Sequence, residues 1–231
     1  MDYKKNLRYF ENKKLLLYCS AGLLVLGIIL WILPRSADNG FVMYILSVLS
    51  IVTGGAVFGI SMTLRSNDKK IDENISDAFK LFEEETMQKF DLYERQLPYL
   101  ESVLIESYKY FDGSYLRRDK EGRYRTEIYS KTHVYFVEEG ICIGSKEISL
   151  IKDEQTDRSE QIPYKQIEKA YLTDDQTVYK KGSKTIPVEY QTLHIKKTDG
   201  TEFTAQSHSS QMLDTLVSDI NHTKERKTGT N

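Results

Sequence analysis

The chain has 231 residues, with 32 Lys and Arg against 34 Asp and Glu, and a formal net charge of −2. This balance excludes the global basic surplus on which nucleic-acid binding draws. Two cysteines, Cys19 and Cys142, far apart and without a CxxC pair, exclude a disulfide framework.

Residues 1–14 carry Lys4, Lys5, Arg8, Lys13 and Lys14 against Asp2 and Glu11. Two apolar segments follow, 15–33 and 41–64, of 19 and 24 residues and without a charged side chain. About 20 apolar residues cross a bilayer as a helix. Only residues 34–40 separate the two, so a two-helix transmembrane hairpin is expected. The first run is longer than the roughly 7–15-residue apolar core of a cleaved signal peptide, and a second run follows almost at once. Lys and Arg gather on the cytoplasmic side. The basic start, and Arg65, Lys69 and Lys70 after the second segment, put both ends in the cytoplasm of a cell-membrane protein. The loop, with Arg35 and Asp38, is expected outside.

Tyr18 and Trp31 stand near the ends of the first segment as interfacial anchors, and Pro34 stops the helix. The second segment holds Gly55 and Gly59 in a GxxxG pair, with Thr63 one turn on. Small residues at this spacing let helices approach closely, against the first helix of the same hairpin or between two copies. Neither segment contains an ionisable side chain of the kind ion pathways use, so the hairpin reads as an anchor.

Residues 65–109 form a charged connector. Between 66 and 107 it has five basic and eleven acidic residues and no Gly. Ile71, Ile75, Ala78, Phe82, Phe90, Tyr93 and Leu97 recur at helical spacing, broken around Glu83 to Glu85. Ser66 or Asn67 caps the start. A short coiled coil and an amphipathic helix packed on the next domain are both compatible with this pattern. Its net negative charge favours projection away from an anionic membrane. Pro98 marks a break, with Leu100, Val103 and Leu104 on one face of a second short helix.

From Asp112 onward the period changes to two. Strands are expected at 124–129, 133–137, 141–143, 147–152, 161–164, 168–173, 188–197 and 201–206, with 152–159 an exposed loop. Thr198-Asp199-Gly200 is the clearest hairpin turn. Met212, Leu213, Leu216, Val217 and Ile220 make one face of a closing helix, capped by Ser209 or Ser210. The β-domain so extends over 110–223, and 224–231 is expected as a disordered tail.

This order of strands and a closing helix resembles the pleckstrin-homology-like (PH-like) fold. The resemblance rests on an early hairpin over 134–143, on Ile162-Pro163-Tyr164-Lys165-Gln166-Ile167 as an I-P-Y-x-x-I step, and on the Asp199-Gly200 hairpin leading into the last helix. A membrane hairpin before such a domain is similar to bacterial membrane proteins with a PH-like or YcxB-like C-terminal domain. The resemblance covers 112–222 and implies a mainly-β barrel with a C-terminal capping helix. It implies a binding module and a scaffold or sensor role, and does not transfer a ligand.

The concentrated candidate for chemistry is the basic loop of Arg117, Arg118, Lys120, Arg123 and Arg125, interrupted by Asp119 and Glu121. The K-x-x-R-x-R spacing is loosely like the basic motif of headgroup-binding PH domains, and each cation near an anionic surface adds about 1 kcal/mol. The four histidines lack metal-ligand spacing. No P-loop, G-x-S-x-G or HExxH motif is present. The expected protein is thus not an enzyme and uses no cofactor. It presents a cytosolic module to a protein partner or an anionic lipid headgroup. The competing expectation is a two-helix membrane effector whose β-domain binds a small signalling ligand and oligomerises.

Overall fold

The computed structural model describes residues 1–11, 15–32, 40–63, 66–181, 183–208 and 210–229. The chain divides into two compact units, Asp2–Lys70 and Ile71–Asn231. The expected loop at 34–39 with Pro34, the side chain of Thr63, and the Ser209 cap lie outside the described residues.

The first unit is helical. Helix α1 (Tyr3–Glu11) buries Asn6, Tyr9 and Phe10. It folds back on the segment after the apolar helices: the Tyr9 hydroxyl donates to Asp68 at 2.7 Å and the Ser66 hydroxyl to Asn6 Oδ1 at 2.7 Å. Helices α2 (Leu15–Ile32) and α3 (Gly40–Thr63) pack together. Within α3, Gly40–Ser61 is long and apolar enough to cross a membrane; Leu17–Ile32 is apolar but shorter. Val25, Leu26, Ile28, Ile29, Phe41, Val42, Leu49 and Val52 are exposed on this pair.

The GxxxG pair does not make the contact between α2 and α3. Gly55 and Gly59 are exposed, and a Cβ at either would meet open space. Gly27 and Gly54 do the work instead: a Cβ on Gly27 would come within 2.6 Å of Ile51, and one on Gly54 within 3.0 Å of Leu24. The Ser47 hydroxyl, buried in the same contact, donates to the Gly27 carbonyl at 2.7 Å. Adjacent positions on a helix point about 100° apart, so Gly54 can face inward while Gly55 faces out.

The second unit opens with α4 (Asp68–Ala78), whose last eight residues belong to it, then α5 (Phe82–Lys89) and the single turn α6 (Leu92–Arg95). Asn67 caps α4 by accepting from the Lys70 amide at 2.8 Å. The connector thus holds three short helices, and its buried Phe79 and Phe82 lie on the β-domain while Leu81 and Tyr93 stay exposed. Phe79 meets Tyr129 edge-on at 5.8 Å, and Phe82 meets His133 at 5.8 Å. No long coiled-coil helix is formed among the described residues.

The expected helix at Leu100 to Leu104 is instead the start of strand β1 (Val103–Tyr108). A two-strand ribbon follows, β2 (Arg117–Arg118) and β3 (Tyr124–Arg125). Then come β4 (Ile128–Val137), β5 (Gly140–Ser149) and β6 (Gln155–Pro163), which with β1 make an antiparallel sheet in the order β1-β4-β5-β6. After a 3-10 turn at Tyr164–Gln166, strands β7 (Ile167–Lys181), β8 (Lys184–Lys197) and β9 (Glu202–Ser207) form a second antiparallel sheet. Helix α7 (Ser210–Thr228) closes the domain.

Three stretches depart from the sequence expectation. Gly144 sits inside β5, paired with His133 and Ser159, so the stretches expected as separate strands at 141–143 and 147–152 belong largely to one strand. The polar stretch expected as a loop at 152–159 belongs largely to β6, an edge strand paired along β5 on one side; its side chains are mostly exposed, so no apolar alternation marks it. The C-terminal stretch is not a loose tail, since α7 runs to Thr228 and Lys227 pairs with Glu138.

The core lies between the two sheets. Val134, Phe136, Ile141 and Ile143 of the first sheet meet Leu193, Ile195 and Phe203 of the second, and Leu213, Leu216 and Ile220 of α7 complete it. The turn at Asp199 and Gly200 forms as expected: Gly200 has φ +83°, and Asp199 accepts from the Thr201 amide at 2.8 Å.

Candidate functional site

The ribbon of β2 and β3 brings the basic run together. Arg117 pairs with Arg125 and Arg118 with Tyr124. The turn between them is organised by an acid. Asp119 Oδ1 accepts the amides of Glu121 and Arg123, both at 2.9 Å, and Gly122 takes φ +88°. Its other oxygen accepts Nε–H of Arg123 at 3.1 Å and Nε–H of Arg125 at 2.9 Å. A carboxylate is thus folded into the midst of the five cations and takes the guanidinium groups of two of them.

The five differ in what they face. The Arg125 side chain is 3% exposed, and its outer edge donates to Asp72 of α4, Nη1 to Oδ1 at 2.6 Å and Nη2 to Oδ2 at 3.4 Å. Asp119 is 1% exposed and Asp72 55%. Arg123 is exposed and pairs with both Asp119 and Glu121. The Arg118 Nε–H donates to the Gly122 carbonyl, and its guanidinium lies over the Tyr124 ring. Arg117 is half-buried and Lys120 exposed. Arg125 is thus an interior side chain, not a member of an open cationic surface. Burial works against the Asp119 carboxylate, but the Arg123 amide and the two guanidinium groups outweigh it and hold Asp119 below the ordinary carboxylate range.

Beside this network opens a cleft of about 1080 Å³, all within the second unit. Its walls come from α4 (Asp72, Ile75) and Phe79 just after it, from the strands (Tyr108, Tyr129, Val188) and from the ribbon (Tyr124, Arg125). The volume is at the upper end of small-molecule sites, which run roughly 300–1,000 Å³ and combine apolar walls with a few fixed polar groups. The rings are interlocked: Tyr129 meets Tyr108 edge-on at 5.0 Å and Phe79 at 5.8 Å. Desolvation pushes the Tyr108 and Tyr129 hydroxyls above their ordinary range, so both are neutral near pH 7. Glu106 and Lys131, paired across β1 and β4, stand at the rim.

His208 closes one end. The Tyr110 hydroxyl donates to the Tyr124 carbonyl at 2.7 Å, which leaves its oxygen as the acceptor in the hydrogen bond with His208 Nε2. Removal from water holds His208 below the ordinary imidazole range. A second, smaller hollow of about 590 Å³ adjoins, lined by Asp174, Asp175, Glu189 and Gln191.

Sequence reasoning found the arginines and missed the cleft. The local signal was Asp119, an acid inside a basic run. Asp72 carried no signal, because it lies 53 residues from Arg125. His133 is buried in β4, between Phe82 and Tyr135, and His194 stacks on Tyr171 in the second sheet. Among the described residues, no group of three His, Cys, Asp or Glu side chains comes together as metal ligands would.

No family model, curated protein or solved structure matches the chain.

Proposed function

We propose that the protein is a membrane-anchored sensor whose aqueous domain binds a small ligand in the cleft under α4. The cleft of about 1080 Å³, with aromatic walls and a buried arginine, is the observation that carries this reading. In it α2 and α3 form a two-helix transmembrane hairpin with both ends cytoplasmic. The apolar side chains exposed along both helices support this, because a water-facing pair would leave a large apolar patch uncovered. Two antiparallel sheets of four and three strands, closed by α7, support a PH-like domain. The role is recognition, not catalysis.

The test uses the full chain in nanodiscs, incubated with a small-molecule extract, washed and heat-released for mass spectrometry. Ser76 lines the cleft from an exposed position on α4, so Ser76→Trp should fill it. Compounds retained by the native chain and lost from Ser76→Trp are expected. Identical retention by both would remove the reading.

A second reading, contact with an anionic headgroup, is favoured by the exposure of Arg118, Lys120 and Arg123 on the ribbon. It predicts slower hydrogen exchange over 117–125 when phosphatidylserine is added to phosphatidylcholine nanodiscs. No change would count against it.

A further inference from the structure

We propose that the cleft contains an oxyanion slot on Arg125 that Asp72 occupies from within, and that its ligand is a small planar molecule bearing a phosphate or carboxylate. This rests on the cleft reading above and deepens it. The two carboxylates on Arg125 are unequal. Asp119 is bound into its own turn by two amides, accepts from two guanidinium groups, and is 1% exposed. It cannot leave without unmaking the ribbon. Asp72 grips the other edge of the same guanidinium while its side chain is 55% exposed. Released, it turns to water at little cost in desolvation.

The Nη edge that Asp72 holds is the fork with which arginine takes planar carboxylates and phosphates through two parallel bonds. Asp72 and Arg125 both line the cleft, so an oxyanion entering it reaches this edge by displacing Asp72. The exchange is charge-balanced: one carboxylate leaves a buried cation as another oxyanion arrives. A buried guanidinium left with Asp119 alone would carry four of its donors elsewhere or unmet, which favours a carboxylate on this edge in the resting chain. The remaining walls say what the anion is attached to. Phe79, Tyr108, Tyr124 and Tyr129 line the same cleft, and aromatic rings of this kind hold a flat ring system at small cost in side-chain entropy. Asp72 is then an internal competitor that sets how strong an anion must be to enter. Its release would loosen α4, the helix that follows the apolar pair in the chain.

Arg125 itself is a poor site for mutation, since losing it removes the buried partner of Asp119 and leaves only the exposed Arg123 to pair with it. The test therefore uses Asp72→Asn and Tyr129→Leu in the full chain in nanodiscs, titrated calorimetrically with inorganic phosphate, phenyl phosphate and phenol. Asp72→Asn should bind both phosphates about tenfold more tightly than the native chain, the worth of one charge-assisted hydrogen bond. Tyr129→Leu should weaken phenyl phosphate and leave inorganic phosphate unchanged. Unaltered or lost phosphate binding in Asp72→Asn overturns the slot, as does phenol binding as tightly as phenyl phosphate. Dihexanoyl phosphatidic acid, tested in parallel, separates a lipid source from a soluble one. Tighter binding of that lipid than of phenyl phosphate overturns the planar ligand. If Ser76→Trp abolishes small-molecule retention while Asp72→Asn changes nothing, the slot falls and the cleft reading stands.

Discussion

At position 125 a guanidinium is taken out of water, and that is tolerable because a carboxylate meets it on each side. Asp119→Asn should therefore destabilise the second unit by about 3–5 kcal/mol, the usual loss when one partner of a buried ion pair is removed. Urea unfolding of the full chain in nanodiscs measures it; a loss under 1 kcal/mol would contradict the network described. The sign of the pH effect follows. Asp119 titrates below its ordinary value of 3.8 in the folded chain, so the unfolded chain takes up that proton first as pH falls. The stability it contributes is present above about pH 4 and is lost as pH falls through the folded value. His133 acts at higher pH. Burial lowers it from 6.5, opposed by Glu83 and Glu106 and assisted by Lys131. The unfolded chain again binds the proton first, so stability should fall as pH drops below 6.5, by no more than about 1.4 kcal/mol per pH unit. His133→Gln should flatten the change in urea midpoint between pH 7 and pH 5.5. An unchanged slope would show that the histidine carries none of it.

Among the elements, β5 and α5 are joined by the absence of a side chain. A Cβ on Gly144 would stand 2.5 Å from the Thr86 methyl and 2.7 Å from its hydroxyl. Thr86 is itself buried, its hydroxyl donating back to the Phe82 carbonyl at 2.7 Å. Gly144→Ala should then cost about 1–3 kcal/mol through overpacking. Thr86→Ala should recover part of that in the double variant, because it removes the two nearest atoms. Simple additivity of the two changes would show that α5 does not rest on this glycine. Helix α7 holds the other end of the core through Leu213, Leu216 and Ile220, all at most 1% exposed.

On the scale of the whole molecule, the proposed topology puts the short connection between α2 and α3 outside the cell and the β-domain within. A cysteine introduced as Ser36→Cys, in the chain with Cys19 replaced by serine, should react with an impermeant maleimide added to intact cells. Cys142 should stay unmodified even after lysis until the domain is unfolded, since it is fully buried and burial pushes its thiol up to about 11. Protection of Ser36→Cys in intact cells with labelling only after lysis would reverse the orientation.

Some of this architecture is written locally. The two apolar segments declare themselves by composition, because a helix satisfies its own backbone whatever lies elsewhere in the chain. The last hairpin declares itself through Asp199 and Gly200, and α7 through a face repeated every turn. Other features have no local signature. Leu100, Val103 and Leu104 read as one face of a helix, yet Val103 to Tyr108 becomes a strand because β4 offers it a full antiparallel register. The polar β6 is a strand through its pairing to β5, and Gly144 is held in β5 by pairing with His133 and Ser159, with Thr86 in the space a Cβ would take. Gly55 and Gly59 spell a packing motif, yet Gly54 and Gly27 make the contact. The candidate site belongs to the second kind. Five basic residues in nine positions look like an open cationic loop, and sequence alone cannot say which way each side chain turns. Tertiary structure turned Arg125 inward, because Asp119 on one side and the distant Asp72 on the other make that burial electrostatically affordable.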